Sequence, residues 1–233
     1  MLPNPSILAL DATTEACSVA LIHANDQTHF LFDVAPQQHS KIILPMIDSL
    51  LQTQQIRLQE CAAVAFGQGP GSFTGLRIAA GVAQGIALAQ NVPLIGISSL
   101  ASLALAAKNM GATEYILAAL DARMGEVYYA LYRLDKNEIA TVIADCLASP
   151  KAATDLLNRY LTNQTWTGIG SGVTLLQADL HTKANMLLPD AYPCAREVAI
   201  LAKESYQQGA FTAIHEALPQ YLRNDVVHRK KSI

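Results

Sequence analysis

A nine-residue run, Gly67-Gln68-Gly69-Pro70-Gly71-Ser72-Phe73-Thr74-Gly75, separates the apolar, strand-like Ala62–Phe66 from the helix-like Leu76–Gln90. That pattern dictates a strand, a glycine-rich crossing and a helix, the unit from which layered α/β folds are built. Glycines let backbone amides come close to a partner group. A helix N-terminus directly behind them favours anions. A tight strand-to-helix turn satisfies the same spacing, and on spacing alone both readings stand.

The helix behind this loop, Thr74–Gln90, carries a single charge, Arg77. Ile78, Val82, Ile86 and Ala89 recur at helical spacing and predict one apolar stripe. Gly81, Gln84, Gly85 and Leu88 fall on the other side, where a surface helix would carry charges. Small residues four apart let another helix approach closely, as they do in membranes. The helix Ser40–Gln54 is also too apolar for one buried face: Ile43, Leu44, Ile47, Leu50 and Leu51 lie within it. The expectation is an interface formed by these two helices, either in a homodimer or with a related chain. The partner-facing residues are read as Ile43, Leu44, Ile47, Leu50, Leu51, Arg77, Ile78, Gly81, Gln84, Gly85 and Leu88. A helix sandwiched within its own domain is the other reading.

Apolar runs at Ser6–Leu10, Cys17–Ile22 and Thr28–Val34, then the helix, strand and helix above, then Leu94–Ile97 and Ser98–Ala107, give a β-β-β-α-β-α-β-α order. Lys108–Thr113 is a candidate boundary, dividing the chain into residues 1–107 and 108–233. Beyond it, Tyr115–Leu120 again ends in an aspartate, Asp121, and is followed by a hairpin, as the first strand ends in Asp11. Further strands are read at Glu126–Leu134, Glu138–Cys146 and Thr165–Ile169, and helices at Ala152–Leu161, Val173–Leu180 and Ala195–Gln208. Two Asp-ended hairpins in similar βββαβα-type halves, the second reduced, are the layout of the actin-like, sugar-kinase-like (ribonuclease H-like) ATPase fold. The terminal segment after Tyr192 either stays with the second half or packs back on the first.

Composition excludes several classes. Across 233 residues the net charge is −3 and only 15% are charged, so no general basic field exists to hold nucleic acid. The tail His228-Arg229-Lys230-Lys231 is the one basic cluster. The four cysteines lie far apart, without a Cys-x-x-Cys pair, which fits reduced thiols and a cytoplasmic setting. No two histidines stand at metal-ligand spacing on a helix, and no metal site is expected. Ile78–Ala107 lacks charge, but Asn91-Val92-Pro93 and several polar residues interrupt it, so it reads as buried in protein.

Three constellations remain. Asp11, Thr13 and Thr14 follow the first strand. In an actin-like ATPase such a turn touches phosphate while the aspartate holds hydrated magnesium; alternatively the aspartate caps its own turn. With Gly67, Gly69, Gly71 and Ser72 these residues are the candidate, vestigial phosphate loops. Asp121, Arg123 and Glu126 flank the second hairpin and either pair with one another or meet a ligand or partner.

These segments together resemble the TsaB (YeaZ) family: Ile7–Thr14, Gly67–Arg77, Gly96-Ile97-Ser98-Ser99-Leu100, Leu120–Arg123 with Glu126-Val127-Tyr128, and the closing Pro219–Arg223. The resemblance implies an actin-like, cytoplasmic bacterial protein needed to make threonylcarbamoyladenosine beside the anticodon of tRNA. It implies a non-catalytic paralogue that pairs with the transferase TsaD. The ATPase TsaE joins the complex, and tRNA is met only through it. It also implies a homodimer, formed through the N-terminal helices, when the chain is alone. It fixes no cofactor of the chain's own; ATP or ADP with magnesium is a candidate at the junction with the partner.

Where TsaD-type chains carry two metal-binding histidines four apart, this sequence has Ser99 and Leu103. It also stops soon after Arg223, without the late aspartate-containing segment that completes the catalytic site in TsaD. Both departures argue against independent transferase or metallopeptidase activity. A stand-alone actin-like ATPase or small-molecule kinase is the alternative.

Overall fold

The structure, a computed structural model, describes residues 5–136, 138–211, 214 and 217–223. The basic tail at 228–231 lies outside the described residues. The chain runs β1 (Ile7–Asp11), β2 (Ala16–Ile22), β3 (Thr28–Val34), α1 (His39–Gln54), β4 (Ala63–Gly69), α2 (Phe73–Gln90), β5 (Leu94–Ser98) and α3 (Ser99–Asn109). The remainder is β6 (Tyr115–Arg123), β7 (Glu126–Asp135), β8 (Glu138–Ala148), α4 (Pro150–Leu161), β9 (Trp166–Ile169), α5 (Val173–Leu176), β10 (Met186–Leu188) and α6 (Ala195–Gln207).

These strands build two five-stranded sheets with one topology, β3-β2-β1-β4-β5 and β8-β7-β6-β9-β10. In each, three antiparallel strands are extended by two parallel ones. The repeated order is the actin-like ATPase fold, here with short final strands in the second half. No sequence signal marked β10, a three-residue strand without alternation.

Strand geometry sends alternate side chains to opposite faces, and both faces of the first sheet are covered. Leu8, Leu10, Val19, Leu21, Val64 and Phe66 meet α1 and α2. Ile7, Ala9, Ala20, Ile22, Ala63 and Ala65 meet Ala195, Val198, Ala199 and Ala202 of α6. This explains why β1 and β2 are buried along their whole lengths. In the second sheet, Ile116, Ala118 and Leu120 pack on Leu100, Leu103, Ala104 and Ala107 of α3, while Leu117, Ala119 and Leu131 pack towards α4. Helix α3 therefore serves the second sheet and α6 the first, and the two helices touch between the sheets.

The helix α2 corrects the expected apolar stripe. Its sheet-facing side is Leu76, Ala79, Ala80, Ala83 and Ala87, whose short side chains let the helix lie close on the sheet. Ile78, Val82 and Ile86 are half-buried at its flank, and Ala89 is exposed. Helix α1 brings a second correction. Ile43, Ile47 and Leu50, expected on a partner face, are buried in this domain's own core, because they form the stripe of α1 that faces the sheet. Leu44 is 54% exposed and Leu51 half-buried. No helix among the described residues is long and apolar enough to cross a membrane.

Candidate functional site

The turn after β1 is built around Asp11, which is fully buried. Its Oδ1 accepts hydrogen bonds from the Thr13 amide at 2.9 Å and the Thr13 hydroxyl at 2.8 Å. Thr13 Oγ1 in turn accepts from the Ser99 hydroxyl at 3.1 Å. Among the described residues, Asp11 Oδ2 has no hydrogen-bond partner. Burial pushes the carboxyl up to about 6, against the opposing pull of the two Thr13 bonds.

The glycine loop closes directly on this turn. A Cβ on Gly67 would lie 1.9 Å from Asp11 Oδ2, and one on Gly75 would lie 1.9 Å from the Ala12 carbonyl oxygen. The Ser72 amide donates to the Thr13 carbonyl at 2.7 Å. Ser72 also caps α2, accepting from the Gly75 amide. The expected loop is shorter than the glycine run suggests: β4 extends through Gly69, which has a φ of +108°, and Gly75 is already helical. Gly67, Gly71 and Gly75 give close approach to the chain's own first turn, while Gly69 lies against Leu76 and the Gln220 carbonyl.

A cleft of about 580 Å³ opens beside this turn, between the two halves. Thr13, Thr14, Gly71 and Ser72 line it from the first half, and Asp121, Arg123, Ser171 and Thr174 from the second. A magnesium nucleotide does not fit the residues present. The unpartnered oxygen of Asp11 is sealed under Gly67, leaving no space for the waters that magnesium keeps. The corresponding Asp121 is engaged: its Oδ1 accepts from the Arg123 amide at 2.7 Å and its Oδ2 from the guanidinium at 3.2 Å.

Arg123 also reaches across the cleft to Glu15 at 3.1 Å, holding a left-handed φ of +60° as it does so. Glu126 departs from the expected turn pairing. Its carboxylate receives the Arg223 guanidinium, with Nε at 3.1 Å, because the end of the described chain returns to this hairpin. Sequence reasoning did not join Glu15 or Arg223 to this hairpin. Their partners lie about a hundred residues away, a separation that no local pattern reveals.

Ser99 and Leu103 are fully buried, Ser99 bonded to Thr13 and Leu103 packed in the second-sheet core. Among the described residues, no three His, Cys, Asp or Glu side chains converge to hold a metal ion. All four cysteines are free thiols. Burial pushes Cys17 up to about 12, and Cys61 and Cys194 up to about 11, so none of these three is an activated nucleophile.

The second notable surface is the outer side of α2. Gly81, Gln84, Gly85 and Leu88 line an open groove completed by Ile214, and Leu88 is 71% exposed. Among the described residues, a Cβ on Gly81 or Gly85 would meet nothing within 4 Å. Arg77, exposed at the start of the helix, places its guanidinium 4.5 Å from the centroid of the Phe73 ring.

Comparison with known proteins agrees with this architecture. The model of the family described as "TsaD: tRNA N6-adenosine threonylcarbamoyltransferase" matches residues 31–231. The chain is 38% identical over 229 residues to the tRNA threonylcarbamoyladenosine biosynthesis protein TsaB of Escherichia coli K12, covering 96% of this chain and 97% of that one. It is also 38% identical to the TsaB of Haemophilus influenzae, covering 97% of each. Among solved structures, YeaZ from Pseudomonas aeruginosa superimposes with a TM-score of 0.83 at 36% identity, covering 94% of this chain and all of that one. With its duplicated sheets, its closed first turn and near full-length similarity to these relatives, the chain belongs to the TsaB (YeaZ) family, within the wider family that the TsaD model describes.

Proposed function

We propose that this chain is a non-catalytic subunit in the synthesis of threonylcarbamoyladenosine in tRNA, the process named in its TsaB relatives. In this reading it docks on a TsaD-type transferase through the outer side of α2, and a TsaE-type ATPase joins the pair. Alone, it forms a homodimer through the same face. Any nucleotide sits at the junction with the partner, and tRNA is met through the complex.

The observation that carries this reading is the pair Gly81 and Gly85. Glycine in a helix interior costs about 1 kcal/mol relative to alanine. Among the described residues, neither glycine has a neighbour that would exclude a methyl group. Their smallness serves something outside the chain, and glycines one turn apart beside an exposed leucine suit a closely packed helix. The sealed Asp11 and the engaged Asp121 remove the magnesium ligands that a stand-alone ATPase would need.

Reconstitution tests the proposal. Threonylcarbamoyladenosine formation by TsaD and TsaE is measured without this chain, with it, and with its Leu88→Glu variant. Activity is expected only with the unaltered chain. Equal rates in all three mixtures would refute the reading.

A further inference from the structure

Residues 217–223 form no helix or strand, yet they are held along their length. At the root, Gln84 Nε2 donates to the Ala217 carbonyl at 3.1 Å, and Ala217 is buried against the α1–α2 core. Midway, the Gln220 amide donates to the Gln68 carbonyl at 2.7 Å, on β4. Tyr221 stacks on Phe73, with ring centroids 4.6 Å apart. At the far end Arg223 leaves the first half. Besides Glu126, it bonds the Arg123 carbonyl, with Nη2 at 3.3 Å. Arg123 itself pairs with Glu15, but it is largely exposed, and exposed pairs contribute little. Arg223 is far better buried and is the stronger tie between the halves.

Gln84 joins this segment to the groove on α2. The same side chain that holds Ala217 also lines the groove, and Ile214, whose carbonyl Gln84 meets at 3.5 Å, completes one wall. Gln84 is thus shared between the groove and the root of the segment, at Ala217.

Resting on the docking reading above, we propose that residues 217–223 are a strap coupling occupancy of the α2 groove to the Arg223–Glu126 clasp at the cleft. A ligand shifts an equilibrium only by binding one state better than the other. A sister subunit seated on Gly81, Gly85 and Leu88 meets Gln84 in the position that its bond to Ala217 fixes. Docking therefore favours strap-down, and by reciprocity a loosened clasp weakens docking by the same factor.

The full chain is titrated calorimetrically with the TsaD-type protein of the same cell, as unaltered protein and as Arg223→Glu, Tyr221→Ala and Leu88→Glu, each checked for folding by circular dichroism. Arg223→Glu and Tyr221→Ala are each expected to weaken binding at least about 5-fold, the lower end of allosteric couplings. Hydrogen exchange at the Gln220 amide is expected to slow when the partner binds. That measurement uses the unaltered chain, so an unfolded variant leaves the proposal decidable. If Leu88→Glu abolishes binding while both strap variants bind normally and Gln220 exchange is unchanged, the coupling is overturned and docking stands. If Leu88→Glu binds as the unaltered chain does, the docking reading itself fails.

Discussion

Asp11 carries a buried carboxylate oxygen that has no partner among the described residues, a feature that works against the folded state at neutral pH. Unfolded, it titrates at its ordinary value of 3.8; folded, at about 6. A carboxyl raised on folding holds its proton more tightly when folded. Its favourable contribution is complete below the unfolded value and is lost as the pH rises through about 6. The shift corresponds to about 3 kcal/mol. Asp11→Asn keeps an oxygen for the two Thr13 bonds and removes the titration. Denaturant melts from acid to neutral pH should show the unaltered chain losing about 3 kcal/mol relative to this variant; parallel stability profiles would show that Asp11 is not the group responsible. The turn Asp11–Thr14 was legible in the sequence as the end of the first strand, but what its side chains do there was not. The same residues hold a metal or cap themselves according to what lies above them, and Gly67 comes from a distant strand.

Helix α2 was legible as a helix that avoids charge, and its outer side, Gly81, Gln84, Gly85 and Leu88, was separable from its inner side by spacing. Which apolar residues face the sheet was not. Ile78, Val82 and Ile86 have the larger hydrophobic side chains, yet Ala79, Ala80, Ala83 and Ala87 take the central position. Closeness to the sheet, not hydrophobicity, selects the contact side. In α1 the stripe Ile43, Ile47 and Leu50 follows ordinary amphipathic logic, and the expected interface shrinks to its flank at Leu44 and Leu51. Gly81→Ala and Gly85→Ala separate folding from docking. Among the described residues the space at both positions is open and admits the methyl group, so each should raise helix stability by about 1 kcal/mol. The double variant should melt higher than the unaltered chain and bind the TsaD-type partner more weakly. A higher melting temperature with undiminished affinity would show that the glycines do not serve docking.

Across the molecule, two sheets of the same strand order exchange helices: α3, early in the chain, covers the second sheet, and α6, late in the chain, covers the first. A cut after residue 109 would strip α6 from Ile7, Ala9, Ala20 and Ile22 and leave that face in water. The fragment 1–109 is therefore expected to lack a cooperative denaturant transition and to bind a hydrophobic dye, and a separately supplied peptide of residues 192–211 should restore the transition. A fragment melting cooperatively alone would show that α6 is dispensable to the first sheet. By itself, the sequence determined the alternation of strands and helices, the two hairpins that follow the strands bearing Asp11 and Asp121, and the uncharged outer side of α2, since all three are written in spacings shorter than about twenty residues; β6 itself runs on past Asp121 to Arg123. Only the tertiary structure decided which helix covers which sheet, that Gly67 seals Asp11, and that Arg223 returns to Glu126. Those pairings are contacts between distant segments, and their energies depend on a geometry that no local pattern of residues encodes.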